Sequence, residues 1–149
     1  MKLERLAAFE VRLDPPLDLG ASHRGRRRVI NIIGGTFEGP RLSGEILPGG
    51  ADWQVLHPDG MASIDTRSTL RTHDGALLQL TTSGVRHGPP EVLRRLARGA
   101  AVDPADYYFR LFCRFETGDA RYLWLNGILA VASAARSADA VHYEAYAVG

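Results

Sequence analysis

The chain has 149 residues, 45% hydrophobic and 23% charged, with 18 basic against 17 acidic side chains and a formal net charge of +1. That length fits one domain spanning residues 1–149, able to bury roughly two thirds of its unfolded surface, and the charge balance gives no footing for nucleic acid or an anionic membrane as partner. Glu4 and Arg5 interrupt the N-terminus before any apolar run, which leaves no signal-peptide core and no stretch of ~18 apolar residues to span a bilayer, so the expected location is the cytoplasm.

Strand signals dominate, as short runs of Val, Ile, Leu, Thr and aromatic residues between Gly, Pro, Asp and Asn punctuation. Leu3 to Leu13 alternates, with Ala7, Phe9, Val11 and Leu13 on one face, and stops at Pro15-Pro16. Arg28 to Ile33 is ended by Gly34-Gly35, Leu42 to Leu47 by Pro48-Gly49-Gly50, and Trp53 to His57 by the turn Pro58-Asp59-Gly60. Ile64 to Thr72 and Ala76 to Ser83 flank His73-Asp74-Gly75, an Asp-Gly hairpin signal. The spacing predicts one helix, Pro90 to about Arg98, with Pro in its first turn and Gly99 as its stop; its apolar stripe is Val92, Leu93, Leu96 and Ala97, and it lies across an opening or edge of the sheet. Tyr107 to Glu116, Tyr122 to Ala132 and Val141 to Val148 complete the set. About eight to ten short strands and one short helix make the fold class mainly β, an antiparallel barrel whose closure removes exposed edges.

The strand faces supply the candidate site. Tyr107, Phe109, Leu111, Cys113 and Phe115 form an apolar row, whereas Tyr108, Arg110, Phe112, Arg114 and Glu116 mix rings with charges. Tyr122, Trp124, Asn126 and Ile128 form a second mixed row. A connection of three or five residues around Gly118-Asp119 brings both mixed rows to one face; two or four residues set each beside an apolar row. Asp65, Arg67 and Thr69 share a face opposite Ile64 and Leu70, either outside as solvated groups or inside, where charges need partners. In "GEILPGGADWQVLHPDG", Asp52 and Gln54 share one strand face and Trp53 takes the other, at the rim of a hairpin.

Four stretches carry a resemblance: "GGTFEGPRLSGEILPGGADWQ" (Gly34 to Gln54), "DTRSTLRTHDGA" (Asp65 to Ala76), "YYFRLFCRFETG" (Tyr107 to Gly118) and "YLWLNGILAV" (Tyr122 to Val131). In this order they resemble the domain-of-unknown-function 3237 family of small bacterial and fungal β-barrel proteins. The resemblance implies a lipocalin-like antiparallel barrel with a central cavity; the family has no agreed activity. Ser68 is a departure, standing where the family commonly carries an aromatic after the arginine.

The expected function is binding of a small organic metabolite, acidic or ring-bearing, in the barrel cavity. Arg67 and Arg110 fix its polar end, Trp53 and Trp124 flank its body, Asp52 and Asn126 orient it, and Gln54, Asp65 and Tyr108 complete the candidate ligand-binding set. The alternative is a cofactor-independent acid/base enzyme, an isomerase, cyclase or lyase, with Asp52 or Glu116 as general base and an arginine on the developing oxyanion. No metal or cofactor is expected: the five histidines are scattered, and one cysteine, Cys113, makes no Cys-rich metal site and no intramolecular disulfide. "HRGRRR", His23 to Arg28, reads as a solvated basic loop, and the partners expected are a small molecule and, at most, further copies of the chain.

Overall fold

The computed structural model describes residues 1–149. Strands β1 (Leu3–Leu13), β2 (Leu17–Ser22), β3 (Gly25–Glu38), β4 (Ser43–Ile46), β5 (Ala51–Leu56), β6 (Ala62–Thr72) and β7 (Leu77–His87) precede helix α1 (Pro90–Ala97); β8 (Tyr108–Glu116), β9 (Leu129–Arg136) and β10 (Ala140–Val148) follow it. Neighbours run β1-β10-β9-β8-β7-β6-β4-β3, with β5 beside β4 between β3 and β6, and β1 pairs with β3 to close the ring. The result is a closed antiparallel barrel of eight staves, with β2 folded back on β3 outside it. Every pairing is antiparallel, and closure satisfies the backbone groups that an open sheet leaves at its edges.

Gly34-Gly35 does not end a strand, contrary to the sequence expectation. β3 runs through it because this is where β3 changes partners, from β5 (Asn31 opposite Ala51) to β4 (Gly35 opposite Ile46). A Cβ on Gly35 would lie 2.1 Å from the Glu10 carbonyl oxygen, so glycine permits the close approach of β1 that the bend requires.

One end of the barrel is filled. Phe9 stacks on Phe37 and Tyr143 with ring centroids 5.5 and 4.7 Å apart, and Leu70, Leu78, Leu80 and Leu125 are fully buried around them. The strand expected from Tyr122 is instead a 3-10 helix, Ala120–Gly127, closing this end. Local polar contacts outcompete extension: the Asp119 carboxylate accepts the Arg121 N–H at 2.9 Å, and the Asn126 amide brackets Thr117, accepting from its N–H at 2.8 Å and donating to its carbonyl at 2.9 Å. The Tyr122 hydroxyl reaches both Asp74 oxygens, at 2.8 and 2.9 Å, latching the helix to the β6–β7 turn. Tyr122→Phe is expected to cost about 1–2 kcal/mol by urea unfolding; an unchanged midpoint would remove the latch from the account.

Across the other end lies α1, starting at Pro90 as the sequence predicts. Val92 and Leu96 point into the core, and Arg94, Arg95 and Arg98 face solvent. Leu93 meets Gly60 in the β5–β6 turn and Gly99 meets Ala138 in the β9–β10 turn, so the segment straps across the barrel mouth. No helix is long and apolar enough to cross a membrane.

Candidate functional site

The aromatic packing stops short of the α1 end. There the buried positions of β9 are Ala130, Ala132 and Ala134, and β6 begins with Ala62, side chains that take up little of the interior. A cavity remains there, only partly closed off from solvent. Its void is on the order of 150–200 Å³, comparable to a cavity that accepts one benzene ring.

The cavity has two unlike walls. β5, β6 and β7 contribute Asp52, Gln54, Thr66, Ser68, Thr82 and Arg86, while β1, β3, β8 and β10 contribute chiefly Val11, Leu13, Ile32, Phe109, Leu111 and Tyr143. Register explains the polar wall: Asp52 pairs with Thr66 and Thr66 with Thr82, so three polar side chains stand in line across adjacent strands. The Thr66 and Thr82 hydroxyls are hydrogen-bonded to each other.

Asp52 is held firmly. Its Oδ1 accepts the Asp65 backbone N–H at 3.0 Å and its Oδ2 accepts from Gln54 Nε2 at 3.2 Å. Gln54 in turn accepts from Arg28 Nε and Nη2 at 3.1 and 2.6 Å, so a cation at the amide oxygen and a carboxyl at the amide nitrogen fix its orientation. Burial pushes the Asp52 carboxyl up to about 6, against the opposing pull of these two hydrogen bonds and of Arg86.

Two further guanidinium groups line the cavity, Arg86 from the end of β7 and Arg136 from the end of β9. Neither enters the chain's ion pairs, which are Arg5–Glu144, Arg26–Asp18, Arg71–Glu45, Arg121–Asp74 and Arg121–Asp119. Arg86 lies 5.5 Å from the Phe109 ring centroid, and the Tyr107 hydroxyl accepts the Arg136 backbone N–H at 2.8 Å, fixing the end of β9. Burial first, then repulsion from Arg136 and Arg28, lowers Arg86 to about 10; burial and Arg28 lower Arg136. Three cations thus face one buried carboxyl, an excess of positive charge suited to an anion. No group of three His, Cys, Asp or Glu side chains gathers to hold a metal ion.

Of the residues predicted from sequence, Asp52 and Gln54 reach the cavity and the rest do not. Trp53 points outward, 38% exposed, as strand alternation requires when its neighbours point in. Asp65 and Arg67 face solvent, because Ile64 and Leu70 claim the inner face of β6. Tyr108, Arg110 and Glu116 also lie outside, because the apolar row of β8 takes the core and one-residue alternation leaves the mixed row no choice. Arg110 donates to the Phe109 carbonyl at 2.9 Å and sits 5.2 Å from the Tyr108 ring. Trp124 and Asn126 belong to the 3-10 helix at the filled end, where Trp124 carries the Arg41 guanidinium 3.8 Å from its ring centroid and Asn126 is exposed.

Sequence reasoning missed Arg28, Arg86 and Arg136. Arg28 belongs to "HRGRRR", of which only His23 and Arg24 form a turn while Gly25 onward is strand: Arg26 pairs outside with Asp18, Arg27 donates to the Trp53 carbonyl, and Arg28 turns in with Ile30 and Ile32. Arg86 extends the series Leu78, Leu80, Thr82, and Arg136 the series Ala130, Ala132, Ala134. Continuing the alternation past the apparent strand ends at Ser83 and Ala132 was the available signal.

The whole chain, residues 1–148, matches the family model described as a protein of unknown function, DUF3237. The UPF0311 protein RPA1785 of Rhodopseudomonas palustris is 44% identical over 124 residues, 83% of this chain and 81% of that one. Its crystal structure aligns with TM-score 0.94 at 38% identity, covering 99% of this chain and 97% of that chain. A β-barrel-like protein from Acinetobacter baumannii AYE aligns with TM-score 0.88 at 51% identity over 99% of this chain and 96% of its own. UPF0311 protein blr7842 of Bradyrhizobium diazoefficiens is 41% identical over 137 residues, 92% of this chain and 90% of that one. With its length matched from end to end, the chain belongs to the DUF3237 family of β-barrel proteins.

Proposed function

We propose that the barrel takes up a small organic acid, with Arg86 and Arg136 binding the anionic group and the apolar wall of Phe109, Leu111 and Tyr143 holding its body. One observation carries this reading: two guanidinium groups border a half-filled lumen and make no ion pair within the chain, feeling only the more distant carboxylates of Asp52 and, for Arg136, Asp139. Burying a cation without a counter-ion is costly, and an incoming anion offsets that cost. In this reading Arg86 and Arg136 take the place of Arg67 and Arg110, which face solvent. Such use of a closed barrel is lipocalin-like, and in this reading the protein works in the cytoplasm without a cofactor.

Calorimetric titration tests it with benzoate against benzyl alcohol. Benzoate is expected to bind and raise the melting temperature, benzyl alcohol to do neither, and Arg136→Gln to weaken benzoate about tenfold. Absence of binding by benzoate and other small carboxylates defeats the reading.

Asp52 favours a second reading, acid/base catalysis on a bound acid. Its carboxyl sits in the lumen and titrates at about 6, close enough to neutrality to give or take a proton. Glu116, outside the barrel, has no part in it.

A further inference from the structure

The two walls of the cavity say more about the ligand than its charge. Resting on the reading of an acid-binding lumen, we infer that the ligand is a single-ring hydroxy acid, whose carboxylate meets Arg86 and Arg136 and whose hydroxyl meets the Asp52–Thr66–Thr82 row. Arg86 and Arg136 stand at the α1 ends of their strands, so an anion held there points the rest of the molecule inward. Thr82 is four residues deeper along β7 than Arg86, with Thr66 and Asp52 beside it in register. Between two hydrogen-bonded threonine hydroxyls one hydrogen serves the pair and one stays free, so the row can both donate to and accept from a ligand hydroxyl. Tyr143 on β10 faces this row across the lumen, and Leu111 on β8 continues the wall beside Thr82, so the two offer a flat ring an apolar surface. Below them Phe9 and Phe37 stop further penetration, and the void accommodates one ring and not two. A ring with a polar edge on one side and a bare face on the other fits both walls.

The test compares benzoate, 3- and 4-hydroxybenzoate and 2-naphthoate by calorimetric titration on the parent chain and on Thr82→Val, a change that keeps shape and removes the hydroxyl. At least one hydroxybenzoate is expected to bind about tenfold more tightly than benzoate to the parent and equally with it to Thr82→Val. 2-Naphthoate is expected to bind at least about tenfold more weakly than benzoate. If benzoate binds but neither hydroxyl adds affinity, or if the gain survives in Thr82→Val, the hydroxy-acid inference falls while acid binding stands. Naphthoate binding as tightly as benzoate overturns the single-ring limit. Failure of every acid on a parent chain that melts cooperatively overturns both readings. Should Thr82→Val not fold, Thr66→Val is used with the same expectations.

Discussion

Arg86→Met is expected to melt several degrees above the parent chain and to bind benzoate at least about a hundredfold more weakly. The two effects share one cause. With Arg86 lowered to about 10, its cation is disfavoured in the folded state throughout the range below pH 10, by about 3 kcal/mol at neutral pH. Methionine fills similar volume against Phe109 without a charge to desolvate, so part of that cost returns as stability once the lost cation–π contact is subtracted. An anion that binds by compensating the cation then finds nothing to compensate. Thermal unfolding and calorimetry on the same preparation read both quantities. A lower melting temperature would mean that Arg86 is a structural support, and unchanged affinity would remove it from the binding site.

Asp52→Asn should stabilise the protein at neutral pH and destabilise it by about 1 kcal/mol near pH 4. Burial raises the folded carboxyl to about 6 from the ordinary 3.8, so between these values the folded state holds the proton that the unfolded chain releases. Stability contributed by this group is therefore intact below pH 4, falls as pH rises to 6 and stays lowered above it, by about 3 kcal/mol in the absence of other changes. Asparagine keeps an oxygen for the Asp65 N–H but turns its amide nitrogen toward Gln54 Nε2, which Arg28 prevents from flipping. That conflict forfeits about 1 kcal/mol, leaving a net gain of about 2 kcal/mol at pH 7. Urea unfolding of both proteins at pH 4 and pH 7 measures the difference. A gain that is equal at the two pH values would show that Asp52 does not titrate between them.

Legibility differed between elements for identifiable reasons. β1 and α1 could be read because a period-2 or period-3.6 apolar pattern was stopped by proline or glycine. The segment from Tyr122 misled because its apolar residues satisfied a strand pattern, whereas the contacts that made it a 3-10 helix come from Asp119, Asn126 and Asp74, one of them 48 residues away. Asp52 and Gln54 were found because a turn immediately before them fixes the start of the strand. Arg86 and Arg136 were not, since each follows the last large apolar residue of its strand and so looks like the beginning of a loop.

From the amino-acid order alone came the antiparallel barrel, the strapping helix, and the assignment of Asp52 and Gln54 to one face, all consequences of local periodicity and turn chemistry. Which face was inside was decided only in three dimensions. A closed barrel has one interior, and the strand faces richest in Leu, Ile, Phe and Ala occupied it because burying apolar area outweighs burying unpaired charge. That competition expelled Arg67 and Arg110 to solvent. It left Arg28, Arg86 and Arg136 on inward positions at one end, where the neighbouring strands carry small or polar side chains and a cavity remains.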